Sequence, residues 1–317
     1  MPLVVNLLFL RLPNKSIFIH MHYTLIDGHS TARTIREELT LLTEKLHNSS
    51  GLTPGLALLL VGNNPASEIY VSNKAKACQE IGVHSIIHRM PKETSQEEIV
   101  ALIDKWNEDS SIHGILVQLP LPDHVNSNVI LEQINPSKDV DGFHPSNVGK
   151  LVLGLPGFVP CTPLGIIELM KRYSIDPSGK HVVVLGRSNI VGKPMANLLY
   201  HKRDFSNAIV TICHTGTKDI REYTRQADIL IAAVGVPKLV TIDHVKEGVV
   251  IFDVGINRIE APNTTKGYRL CGDVDFNSVL PYCSAITPVP KGVGPMTIAM
   301  LLSNTVHSAR TTIKELL

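Results

Sequence analysis

Two short stretches carry side chains whose types and spacing point to chemistry. The first is a strand-like run, His181–Leu185, that stops at Gly186-Arg187-Ser188, with Gly192 opening a helix six positions on. A β-branched run ending in glycine, then a helix start, is how an α/β fold offers backbone N–H groups to a phosphate. The spacing is not G-x-G-x-x-G, so the turn suggests a nucleotide site of an altered kind. In such a fold an acid at the end of the second strand would accept from an NAD ribose hydroxyl. Here that strand ends in Cys213-His214-Thr215, with no acid. Arg187 in the turn is suited to a ribose 2′-phosphate, which favours NADP over NAD. The second stretch is Tyr70-x-x-x-Lys74, whose spacing puts both side chains on one helical face, a turn apart. For Lys74 to act as a base its pKa must fall from roughly 10 to roughly 7–8.

Two further motifs lie outside these. Lys138-Asp139-Val140-Asp141-Gly142 follows the first set of strands. If extended, Asp139 and Asp141 point the same way, and a carboxylate there suits a planar pair of donors such as the amino-pyrimidine edge of a pterin. No histidine or third acid stands at ligand spacing, so no metal is expected. The segment from Thr287 to Thr297 holds three prolines, with Gly292 and Gly294 free to adopt positive φ or to let a ligand approach, and it opens the last helix.

The elements that must position these groups read as α/β. Ser30–Leu46 predicts a helix capped by Ser30, Leu56–Gly62 a buried strand, and Ser67–Ile81 a helix. Val83–Met90 predicts a strand, Ser95–Asp109 a helix, and Ile112–Gln118 a strand. Leu119 to Pro163 reads as irregular. Thr162-Pro163 predicts a helix start, with the hydroxyl as cap and the helix ending near Tyr173. A second β-α series follows: His181–Leu185, a helix from Gly192, Ala208–Cys213, a helix near Arg221, Asp228–Val234 and Val249–Val254. The last helix is expected from Met296 to Lys314. The order gives two doubly wound parallel-sheet units rather than one long sheet. Tyr-x-x-x-Lys also occurs in short-chain dehydrogenases, but within the nucleotide-binding unit. Here it precedes that unit by over a hundred positions, which argues against that class.

The chain has 317 residues, 44% hydrophobic and 19% charged, with a formal net charge of +1. That is room for about two domains of ordinary soluble composition. Without a dense basic stripe, nothing calls for nucleic acid. The five cysteines are scattered and odd in number, which fits a reduced, cytoplasmic setting without a disulfide framework or zinc site. The apolar run Met1–Leu12 carries Arg11 late and is too short to span a bilayer. Residues 1–20 are therefore expected to be an extension, with the folded part beginning near Met21 and no membrane partner.

Taken together, the chain resembles the bifunctional methylenetetrahydrofolate dehydrogenase/cyclohydrolase family from about Leu25 to its end. The motifs are Ser67-x-x-Tyr70-x-x-x-Lys74, Gly114 to Pro120, Lys138 to Gly142, Pro160-Cys161-Thr162-Pro163, Gly186-Arg187-Ser188-x-x-Val191-Gly192 and Pro290 to Thr297. Six in order are specific where each alone is not. The resemblance implies NADP-dependent oxidation of methylene-tetrahydrofolate to methenyl-tetrahydrofolate, then hydrolysis to 10-formyl-tetrahydrofolate, as in purine biosynthesis. It implies that Lys74 is the acid/base of hydrolysis, Tyr70 orients the folate, Gln118 hydrogen-bonds Lys74, and Asp141 holds the pterin. Pro290 and Gly292 would complete the substrate contacts. Gly186, Arg187, Ser188, Thr215 and Ile256 would line the NADP site. It further implies a Rossmann-like nucleotide domain at 162–295 inserted into a catalytic domain of 21–161 and 296–317, a cleft between them, and a homodimer paired through the nucleotide domain. The alternatives are a monofunctional dehydrogenase and a nucleotide-sensing module without turnover. Two positions depart from the family: Lys291 stands where glycine is usual, and Asp-Gly-Lys reads Asp27-Gly28-His29. A cation at 291 offers a partner for a folate's glutamate tail, while the change at 29 looks peripheral.

Overall fold

The computed structural model describes residues 23–262 and 267–315. The expected extension over residues 1–20 lies outside these. In chain order the elements are β1 (Thr24–Leu25), α1 (Gly28–Ser50), β2 (Gly55–Val61), α2 (Pro65–Glu80), β3 (His84–Met90), α3 (Gln96–Glu108) and β4 (Gly114–Val117). Next come α4 (Ser127–Gln133), α5 (Pro145–Leu153), α6 (Cys161–Arg172), β5 (His181–Leu185), α7 (Gly192–Tyr200), β6 (Ile209–Cys213) and α8 (Arg221–Thr224). The remainder are β7 (Ile229–Ala232), β8 (Val249–Asp253), β9 (Asn257–Glu260), β10 (Tyr268–Cys271), α9 (Phe276–Val279), β11 (Cys283–Ile286) and α10 (Val293–Glu315). Among the described residues no helix is long and apolar enough to cross a membrane.

The described residues divide into two compact units, 32–164 with 297–315 and 23–31 with 165–296. In the first, three strands pair in parallel in the order β3-β2-β4. The central β2 is buried along its whole length, as a parallel strand covered on both faces must be. Ala57, Leu59 and Val61 pack with Ile99, Ile103 and Trp106 of α3, and Leu56, Leu58 and Leu60 point to the opposite face. Each such leucine, without accessible surface, contributes about 2 kcal/mol of burial. Helix α3 begins as its sequence predicts. The Ser95 hydroxyl accepts from Glu98 N–H at 3.2 Å, and the Glu98 carboxylate accepts from Ser95 N–H at 2.9 Å.

The second unit carries six parallel strands in the order β1-β11-β8-β7-β5-β6, with the antiparallel hairpin β9/β10 apart from them. After β5 the chain lays β6 on one side and then β7 on the other. That reversal is the switch point where a doubly wound sheet opens a crevice beyond its strand ends. The core of this sheet joins Val183, Leu230, Val249, Ile251 and Ile286.

Four expectations are corrected. The stretch from Leu119 to Pro163 is not all irregular. It holds α4, capped by Asn126, and α5, which starts at Pro145 behind His144 and ends at left-handed Gly154. Ser30 does not cap α1, since its N–H donates to the Asp27 carboxylate at 3.0 Å. Thr162 lies inside α6 rather than before it, and its hydroxyl hydrogen-bonds that of Thr297 at 2.9 Å. Residues 23–31 group with the nucleotide unit rather than the first, because β1 pairs with β11 at the edge of the six-stranded sheet.

Candidate active site

Helix α2 carries Tyr70 and Lys74 one turn apart on the first unit. Tyr70 is 43% exposed and Lys74 is half-buried. The Lys74 Nζ donates to Gln118 Oε1 at 3.0 Å. Gln118 follows β4 directly, and its N–H continues the ladder to the Leu59 carbonyl at 2.9 Å. Its Nε2 donates to the Leu119 carbonyl at 2.7 Å, which leaves Oε1 turned to the lysine. Asp141 completes the group. Burial lowers the Lys74 pKa from the ordinary lysine value, opposed chiefly by the charge of Asp141. Burial raises the Asp141 carboxyl, opposed by Lys74 and by a hydrogen bond from Cys161. Desolvation thus pushes amine and carboxyl toward each other, which suits a site that moves protons.

The turn that presents Asp141 is built by its neighbour. Asp139 Oδ1 accepts from Gly142 and Phe143 N–H at 3.1 and 3.2 Å, and Oδ2 accepts from His144 N–H and Asn147 Nδ2, both at 2.8 Å. The segment is therefore a turn, not an extended pair of parallel carboxylates, and the two aspartates do different work. Burial raises the Asp139 carboxyl to about 6 against those donors. From α10, Asn304 Nδ2 donates to the Val140 carbonyl at 2.8 Å and to that of Val159 at 3.3 Å. Cys161 donates to the Val140 carbonyl at 3.4 Å, and burial, then the Asp141 charge, raises its thiol well above the ordinary value. The role of Cys161 beside Asp141 has no signature in spacing. Its place in Pro160-Cys161-Thr162-Pro163 was the available hint.

On the second unit the expected nucleotide residues gather at the carboxyl edge of the sheet. Gly186 follows β5 with φ 112°, a conformation that favours glycine, and a side chain there would overlap the Ala233 carbonyl beyond β7. Gly192 opens α7 against the Gly186 carbonyl, again with no room for a Cβ. Between them Arg187 is exposed and makes no ion pair among the described residues. The Ser188 hydroxyl accepts from Val191 N–H at 3.1 Å, so the first turn of α7 is partly served from within. Thr215, beyond β6, is exposed, and Ile256, beyond β8, is 46% exposed. An uncommitted guanidinium beside a glycine turn at the switch point fits a phosphorylated dinucleotide.

The proline-glycine loop differs from its expected shape. The left-handed residue is Lys291, at φ 83°, rather than Gly292 or Gly294. Lys291 is exposed, and its carbonyl accepts from His29 N–H at 2.9 Å. Gly292 is buried, and its carbonyl lies where a side chain on Gly28 would stand. The Asp27-Gly28-His29 segment is therefore not peripheral to this loop. The two departures from the family pattern meet at one backbone hydrogen bond.

The profile of the tetrahydrofolate dehydrogenase/cyclohydrolase catalytic domain matches residues 26–141, and that of the NAD(P)-binding domain matches residues 160–313. A bifunctional protein FolD from Chlorobium phaeobacteroides is 54% identical over 288 residues, covering 90% of this chain and 98% of the relative. The chain belongs to the tetrahydrofolate dehydrogenase/cyclohydrolase family. Among solved members, the bifunctional enzyme FolD of Campylobacter jejuni is 53% identical, with a TM-score of 0.87 over 92% of this chain and 99% of that one. The FolD of Trypanosoma brucei, complexed with NADP cofactor and inhibitor, is 37% identical with a TM-score of 0.87 over the same shares. Residues 165–296 of the doubly wound second unit lie in the span matched by this family's NAD(P)-binding domain, and Lys74, Gln118 and Asp141 lie in the span matched by its catalytic domain.

Proposed function

We propose that this chain oxidises 5,10-methylenetetrahydrofolate with NADP and hydrolyses the resulting 5,10-methenyl cation to 10-formyltetrahydrofolate. Membership of the family in both of its domains supports the two activities. The observation that carries the hydrolytic half is the Lys74–Gln118 hydrogen bond beside Asp141.

The chemistry that bound NADP would supply is acceptance of the hydride lost from the methylene carbon. Arg187 would pair with the ribose 2′-phosphate, Gly186 would give the backbone room for the pyrophosphate, and Ser188, Thr215 and Ile256 would line the rest. The methenyl carbon is then electrophilic by itself, so water can add without a metal or a covalent nucleophile. Lys74, as the free amine, takes a proton from the attacking water. The carbinolamine collapses by breaking its bond to N5: the lysine ammonium gives its proton to N5, and the carbinol hydroxyl releases its proton to solvent as the formyl C=O forms. Gln118 holds the amine in line, Asp141 accepts from the pterin edge, and Tyr70 flanks the ring. Pro290 and Gly292 contribute to the folate contacts. The lowered Lys74 pKa raises the share of free amine near neutral pH.

We also read the protein as a cytoplasmic homodimer whose 10-formyl product serves formyl transfer, as in purine biosynthesis. Strand β6 is an edge strand, and Ile209 and Ile212 on it are 64% and 40% exposed, which supports pairing through the nucleotide unit. All five cysteines are free, which suits a reducing compartment. The test of function is Lys74→Met in a coupled assay. Formation of NADPH with loss of methenyl hydrolysis supports the assigned role, and hydrolysis at the wild-type rate contradicts it. Light scattering of the wild-type chain and of Ile209→Lys tests the dimer.

A further inference from the structure

Two aspartates in the nucleotide unit are almost without accessible surface: Asp273 is 0% exposed and Asp253 is 4%. Neither pairs with a lysine or arginine among the described residues. A buried carboxylate without a cation must take its stabilisation from N–H dipoles. Asp273 Oδ2 accepts from Val234 N–H at 2.7 Å and from Gly235 N–H at 3.0 Å, just beyond β7. Its Oδ1 accepts from Asn257 Nδ2 at 2.9 Å, beyond β8. Asp253, the last residue of β8, holds Asp273 in turn. Its Oδ1 accepts from Asp273 N–H at 2.9 Å and Gly255 N–H at 3.0 Å, and its Oδ2 accepts from Val274 N–H at 3.0 Å.

Both carboxyl groups rest against glycine. A side chain on Gly255 would overlap the Asp273 carboxyl, and one on Gly272 would overlap that of Asp253. Five of the six donors to this pair lie in segments that follow a strand end, and the sixth, Asn257, is the first residue of β9. Ile256 stands between Gly255, tied to Asp253, and Asn257, tied to Asp273, yet its own side chain is 46% exposed. The interlock thus fixes the backbone on both sides of one exposed apolar residue, and fixes the Gly235 turn beyond β7 as well.

We infer that Asp273, seated by Asp253, is a positioning residue for the dinucleotide: it sets Ile256 and the Gly235 turn at the mouth of the switch-point crevice. The inference rests on the NADP reading of that edge. It assigns Asp273 no contact with substrate or with the reacting atoms.

The experiment is NADP titration of the wild-type chain, Asp273→Asn and Asn257→Ala, with methenyl hydrolysis measured on each. Losing acceptors for charge-assisted bonds predicts NADP dissociation constants raised about 10- to 100-fold for Asp273→Asn, and about 3- to 10-fold for Asn257→Ala. Hydrolysis should stay within about twofold of wild type, because sites without shared partners behave independently. Unchanged NADP affinity in both variants overturns the inference. So does hydrolysis falling in step with NADP affinity, which marks a general role in folding. If Asp273→Asn does not fold, Asn257→Ala decides alone, since it removes one bond from a half-buried residue. A wild-type chain that fails to bind NADP overturns the functional reading itself, a result distinct from equal binding by all three.

Discussion

Lys74 donates to Gln118 at 3.0 Å across 44 positions of sequence, and the amide that receives it is turned by its own bond to Leu119. The lysine is thus aimed by a group that brings no charge. A carboxylate in that place would favour the ammonium and oppose the desolvation that lowers the Lys74 pKa. Gln118→Glu should therefore move the rising limb of the pH–rate profile for hydrolysis to higher pH. Gln118→Ala should leave that limb nearly in place and lower kcat about 10- to 100-fold through lost alignment. Rate profiles of the two variants separate charge from aim.

Asp141 acts in the opposite sense. Its charge raises the Lys74 pKa against burial. Asp141→Asn removes that charge, so the inflection assigned to Lys74 should fall to lower pH. The same change replaces an acceptor of the pterin edge by a mixed donor and acceptor, and KM for the folate should rise about 10-fold or more. An unmoved inflection with unchanged KM would remove Asp141 from both roles.

The physical reach of the sequence shows in these residues. The strand β5 is legible to the residue because a β-branched run is bounded by turn-formers on both sides. Helix α5 is hidden because its cap is a histidine, whose Nδ1 accepts from Ser146 N–H at 3.0 Å, rather than one of the short polar caps. Strands β1 and β11 have two and four residues, and they exist as strands through a pairing that joins the two ends of the chain. Alternation misplaced Asp139, since its side chain takes N–H groups three to five residues on and bends the segment back. Tyr70 and Lys74 are readable as a helical pair. Their meeting with Gln118, Asp141 and Cys161 depends on long-range packing, and only the order of motifs pointed to it.

Arg187 tests the cofactor assignment. It is exposed in the turn after β5, where no acid follows β6. Arg187→Ala should weaken NADP about 10-fold or more, the scale of a lost charge-assisted contact, and leave NAD almost unaffected. Initial rates with each cofactor decide it, and equal losses for both would refute the 2′-phosphate pairing.

Asp253 links stability to pH. Burial raises its carboxyl from 3.8 to about 7, with the charge of Asp273 adding to the rise and backbone donors opposing it. The folded state therefore holds a proton that the unfolded chain releases, and stability falls as pH rises between about 4 and 7. Asp253→Asn, which cannot titrate, should be less stable in absolute terms because it loses acceptors, yet flatter across that range. Melting temperatures of both proteins, taken from about pH 4 to 8, compare the slopes. Parallel slopes would contradict the shift.

The central claim is that one chain performs both steps. The most direct measurement is a coupled assay of the purified protein with methylenetetrahydrofolate, followed for NADPH and for the methenyl intermediate, with NADP and NAD side by side. Prompt reduction of the nicotinamide is expected, faster with NADP than with NAD, with a methenyl signal that decays to 10-formyltetrahydrofolate in wild type but accumulates in Lys74→Met. NADPH formation with a persistent methenyl signal in wild type, or no reduction of either cofactor, would contradict it.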